Sequence, residues 1–138
     1  MTETKQAAGG RTVHLALVQF ESVLCDPAAN TQKACRMIAE AAAEGADLVV
    51  LPELFSTGYE LNIVGPHVPE LAEPVDGPTV RALQDAARAG NCYVVAGLAL
   101  AYDMAGVPFN SSVVIDRQGG ASGHVRQAAS VGARALLL

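Results

Sequence analysis

At 138 residues, about half of them apolar and with a formal net charge of −5, the chain has the size and composition of one domain with an ordinary core. Nine Lys and Arg without a basic run exclude the electrostatic footprint of a nucleic-acid binder, and no stretch approaches the roughly 20 apolar residues of a membrane span. Three irregularly spaced cysteines without a CxxC pair argue against a disulfide framework or a zinc site. This composition fits a cytoplasmic protein with no metal or cofactor, whose partners are small molecules, protein or further copies of itself.

The first eleven residues, MTETKQAAGGR, are small and polar with no apolar core, and read as a disordered leader. TVHLALVQF predicts a buried strand over Thr12 to Gln19, central in its sheet. Asp26 followed by Pro27 is a helix start signal. The helix runs to about Glu44, with Ala34, Ile38, Ala41 and Ala42 at core spacing and Gly45 as its stop. ADLVVLPE repeats the strand signature, so strand, helix, strand implies a right-handed crossover between parallel strands. Leu54 to Pro78, rich in proline and poor in periodicity, reads as one long connection. A second helix is expected from Pro78 to about Ala89, with Val80, Leu83 and Ala87 inward and Gly90 ending it. CYVVAGLAL predicts a third strand, and FNSSVVIDRQGG a fourth that closes on a glycine-rich turn. Their short connection predicts an antiparallel hairpin. The fold class is therefore α/β, a mixed sheet of about four strands with two helices over residues 12–123. Residues 124–138 form an atypical tail that ends on three leucines without turn chemistry.

Glu53 is the most informative position, because it follows a hydrophobic strand on the side of the sheet where open α/β folds bind ligands. A solvated strand-end carboxylate explains it equally well. Pro52, Leu54 and Phe55 beside it predict partial desolvation, which would suit a general base. Tyr59 and Asn110 are the companions expected to line a pocket with it, although a Tyr and an Asn at element ends also serve packing and turns.

LVVLPELFSTGY, residues 48–59, resembles the signature of the nitrilase superfamily of carbon–nitrogen hydrolases. LALVQF, the EGAD turn, YVVAGL and FNSSVVIDRQG follow in that family's order and spacing, so the resemblance spans Val13 to about Gly123. It implies the amino-terminal part of an αββα sandwich whose site uses Glu, Lys and Cys on amides, nitriles or N-carbamoyl compounds. In that scheme Cys attacks the carbon, Glu takes its proton and Lys supports the developing anion. Glu carries over to Glu53. The family's Lys follows the hairpin in a pattern like Y-R-K-x-H-L, where this chain reads HVRQAAS and has Gln127. The family's Cys has no counterpart, and none of Cys25, Cys35 and Cys92 has a His or Lys neighbour in sequence that would obviously lower its thiol pKa. Cys35 and Cys92 read as core residues.

The resemblance thus implies a chain that is inactive as it stands. A shifted reading frame offers one account of the tail: Gln127 to Gly132 written CAA GCT GCA TCT GTG GGG contains AAG CTG CAT CTG TGG, which encodes Lys-Leu-His-Leu-Trp. The genetic code permits this register without requiring it. Two other readings stay open, a non-catalytic partner-binding protein of the same fold and a flavodoxin-like small-ligand module. The hairpin argues against the second. His14, His67 and His124 are scattered without metal or triad spacing, and Gly119-Gly120 reads as a turn rather than a phosphate loop.

Overall fold

The computed structural model describes residues 10–101 and 107–126. Most of the leader and the tail beyond Arg126, including Gln127 and the proposed frame change, lie outside the described residues. Five strands, β1 (Leu15–Leu17), β2 (Leu48–Val50), β3 (Tyr93–Ala101), β4 (Pro108–Ile115) and β5 (Ala121–Arg126), form one sheet in sequential order. The β1–β2 and β2–β3 pairs are parallel and the β3–β4 and β4–β5 pairs antiparallel. The α/β class and the hairpin hold. That antiparallel half removes the flavodoxin-like alternative, whose sheet is parallel.

Helix α1 (Pro27–Ala43) starts as its sequence dictates, with the Asp26 carboxylate accepting from the Ala29 N–H at 3.0 Å and Pro27 in the first turn. Helix α4 (Pro78–Gly90) is capped from outside itself. Its N-cap, Gly77, has no side chain, so Glu73 accepts from the Thr79 N–H at 2.8 Å and from the Thr79 hydroxyl at 2.7 Å. At the other end the stop is Asn91, not Gly90: Asn91 takes the left-handed conformation, φ +48°, and its N–H satisfies the last carbonyls. Gly90 serves packing instead, because a Cβ there would stand 2.8 Å from Ala42 Cβ on α1.

Both helices cover one face of the sheet. Ala34 and Ile38 of α1 and Val80, Leu83 and Ala87 of α4 meet Val49, Val94, Ala96, Val113 and Ile115 in one core. A side chain of this kind contributes roughly 1.5–3 kcal/mol when fully buried. Strand alternation sends the other set to the opposite face, where Leu17, Val50, Val95 and Val114 lie in register across four strands. On that face the connection after β2 covers only the Ala99 end, where Val64, Val68 and Leu54 pack on it. Leu17 is 72 % exposed and Leu15 52 %.

Three expectations change. β1 was expected at the centre but forms the edge of the described sheet, only three residues long, because nothing described pairs with its outer side. The Leu54 to Pro78 connection contains two one-turn helices, α2 (Leu61–Val64) and α3 (Val68–Leu71), joined by a 3₁₀ turn; Glu60 caps the first, and proline stands in the first turn of the other two pieces. The fourth strand does not end the sheet. Asp116 accepts from the N–H groups of Gln118 and Gly120, Gly119 supplies φ +78°, and the chain returns as β5 across the boundary expected at residue 123. Among the described residues no helix is long and apolar enough to cross a membrane.

Candidate active site

The site forms where β2 ends against the middle of the sheet. The Leu51 N–H still donates to Val95 O at 2.9 Å, after which Pro52 ends the ladder and the chain turns. Leu54 takes φ +49°, a conformation costly for a leucine, and the turn closes with the Gly58 N–H on Leu54 O at 2.9 Å. Leu54 and Phe55 are buried, Phe55 edge-on to Phe20 at 6.2 Å between centroids, while Glu53 stays exposed on the sheet face opposite α1 and α4. The expected desolvation by Pro52, Leu54 and Phe55 is therefore corrected, since Phe55 packs into the helix-covered core and Leu54 into a small cluster with Val64, Val68 and Ala99, while Glu53 stays exposed.

A second loop holds this turn. Asn30, fully buried on α1, accepts from the Val23 N–H and donates to Val23 O, both at 2.7 Å, and donates to Ser56 O at 2.8 Å. The Ser22 hydroxyl adds a bond to Phe55 O at 2.8 Å, and the Cys25 N–H one to Thr57 O at 3.0 Å. The Glu53 turn is thus fastened to the segment that precedes α1.

Glu53 and Asn110 come together. The Asn110 carboxamide donates to Glu53 Oε1 at 2.5 Å, from two strands away. They share an open cleft of about 420 Å³ whose floor is Val50, Val95 and Gly97, with Ser112 alongside. A carboxylate anchored through one oxygen keeps a second with which to take up a proton, and the cleft has room for a small polar molecule. Tyr59 is not brought in: it is 53 % exposed and absent from the cleft lining. Gly97 is the lining residue that sequence reasoning missed. An isolated glycine inside a strand pattern signals close backbone approach, and CYVVAGLAL contains one.

None of the three cysteines lines the cleft. Cys92 is fully buried, and burial pushes its thiol up despite the opposing charge of Arg117. Cys35 is half-buried beside α4; burial, and then the charge of Asp85, raise its thiol as well. Cys25 packs against a small cluster of Leu54, Val64, Val68 and Ala99, with φ +60°. His14 sets its ring Nδ1 3.2 Å from Gly45 O, His67 is exposed in the 3₁₀ turn, and His124 falls on β5. Among the described residues no group of three or more His, Cys, Asp or Glu could hold a metal ion.

A family profile described as carbon-nitrogen hydrolase matches residues 14–131. A nitrilase of Pyrococcus abyssi is 41 % identical over 108 residues, which are 78 % of this chain and 40 % of the relative. An omega-amidase of Mus musculus is 31 % identical over 110 residues, 78 % of this chain and 37 % of the relative. The chain therefore spans about two fifths of the length of the curated relatives it matches. Among solved structures, an amidase from Nesterenkonia sp. superposes with a TM-score of 0.73 at 24 % identity, covering 91 % of this chain and 47 % of the amidase. A nitrilase-superfamily protein of Saccharomyces cerevisiae superposes with a TM-score of 0.76 at 22 % identity, over 91 % of this chain and 48 % of its own.

Proposed function

The chain belongs to the carbon-nitrogen hydrolase family, and from that premise we propose that it supplies the general base, Glu53, for hydrolysis of a non-peptide C–N bond in a small amide. The observation that carries this reading is the Glu53 carboxylate, anchored by Asn110 in a cleft at the end of β2. In the family's scheme a cysteine thiol attacks the amide carbon. Glu53 takes the thiol proton and passes it to the departing ammonia, a lysine stabilises the oxyanion, and water then releases the acid with Glu53 again as base. Nitriles and N-carbamoyl compounds present a comparable electrophilic carbon. Asn110 and Tyr59 were the substrate contacts expected from sequence; the geometry favours Asn110.

The 138 residues by themselves lack two parts of that scheme. Gln127 stands where the lysine is expected, and Cys25, Cys35 and Cys92 do not line the Glu53 cleft. Groups that act as a unit lose nearly all activity when one is missing, so the chain alone is inactive in this reading. Ammonia release from a panel of small amides and nitriles tests it. Background release is expected; turnover abolished by Cys25→Ala, Cys35→Ala or Cys92→Ala would show a nucleophile where this reading has none. The exposed apolar face around Leu15 and Leu17 favours a second reading, a non-catalytic protein of the same fold that acts by binding a partner.

A further inference from the structure

We infer that Gly97 is a positioning residue for Glu53: the absence of a side chain on β3 lets the Glu53 backbone lie against the sheet and so delivers its carboxylate to the Asn110 amide. The inference rests on the reading of Glu53 as the base and adds what sets its place. A Cβ built on Gly97 would stand 2.8 Å from Glu53 Cα, 3.2 Å from Leu54 N and 3.2 Å from Pro52 O. All three are backbone atoms, so no side-chain rotation relieves the contact. Conformational freedom is not the reason for this glycine, since Gly97 is not among the residues with positive φ and alanine could adopt its backbone.

The sheet register explains why displacement would matter. Gly97 pairs with Ser112 on β4, and Asn110, two residues along the same face, pairs with Ala99. Glu53 therefore crosses above Gly97 and reaches one strand repeat sideways to Asn110. A shift of even half an ångström at Glu53 Cα moves one end of a short, charge-assisted hydrogen bond whose other end is fixed in the ladder. Leu54 at φ +49° marks the same constraint from the other side, because a strained turn persists only where its surroundings hold it.

The test uses the full chain, labelled with ¹⁵N and ¹³C, and reads the side-chain amide protons of Asn110. In the unsubstituted protein one of them is expected downfield of solvent-exposed amides such as that of Gln32, as donation to a carboxylate requires. Gly97→Ala should return it to the Gln32 position, as should Glu53→Ala, while methyl resonances of Val94 and Val113 on the helix-covered face stay in place. Gly123→Ala is the control, a sheet glycine with nothing within 4 Å of a built Cβ; it should leave the Asn110 amide unmoved. An Asn110 amide unchanged in Gly97→Ala, or one that moves only together with the Val94 and Val113 methyls, would overturn the inference. Should Gly97→Ala not fold, Asn110→Ala decides through the Glu53 carboxylate carbon, expected to move to the position of exposed Glu21. No movement would mean that there is no seat for Gly97 to serve. None of these readouts requires turnover, so they stand or fall separately from the hydrolase reading.

Discussion

Replacing Asn30 by alanine removes the side chain that fastens the Glu53 turn to the segment before α1, and the size of the effect can be worked from its three bonds. Two, to the N–H and carbonyl of Val23, are part-buried, so water can replace them in part; each is worth about 1 kcal/mol net. The third, to Ser56 O, is buried, and leaving that carbonyl without its donor costs roughly 1–2 kcal/mol. The expected loss is about 3 kcal/mol against a total stability on the order of 5–15 kcal/mol. Urea unfolding followed by far-ultraviolet circular dichroism measures it as a lower midpoint at unchanged slope. Asn30→Asp sharpens the test. It retains an acceptor for the Val23 N–H but turns a carboxylate toward two carbonyls, so it should cost at least as much as alanine. A loss below about 1 kcal/mol for Asn30→Ala, or an aspartate that restores stability, would refute the reasoning that these amide donations hold the two loops together.

The Asp47 carboxyl is held below its ordinary value by the His14 backbone N–H, and next by the Arg117 guanidinium. A depressed folded-state value means its contribution is complete above the unfolded pKa, about 3.9, and is lost as pH falls through the folded one. Melting temperatures of the unsubstituted protein and Asp47→Asn should therefore differ at pH 6 and converge in acid; a gap independent of pH would contradict this. Leu17, 72 % exposed and on the edge strand of the described sheet, should promote self-association. Sedimentation should show Leu17→Lys less associated than the unsubstituted chain, and a sharply melting monomer in both cases would count against it. Leu83→Ala, emptying a fully buried position between α4 and the sheet, should cost about 2–5 kcal/mol in the same urea assay.

Where one local rule decided the outcome, the chain was legible. Asp26 and Pro27 announced α1, the spacing of Val80, Leu83 and Ala87 gave the buried side of α4, and the short link after CYVVAGLAL gave the antiparallel pair. What depended on packing across the fold was not. Gly90 looked like a helix stop because its contact with Ala42 comes from another helix. β5 was passed over because ASGHVR has little apolar alternation and gains its strand from pairing with β4. The site divides in the same way. Glu53 stood out by its place after a hydrophobic strand, and Asn110 by its strand. Gly97 matters only through what lies above it, and the apolar context around Glu53 misled because Phe55 and Leu54 bury themselves in two separate clusters and leave the carboxylate exposed.

Ammonia release from a panel of small amides, measured with and without Glu53→Gln, tests the assignment of the base most directly. The 138-residue chain should remain at background, and any longer product of the same gene that turns amides over should lose about 10²- to 10⁴-fold of that rate on Glu53→Gln, the range for removal of a general base. Turnover by the Glu53→Gln protein within tenfold of the unsubstituted one would contradict the account.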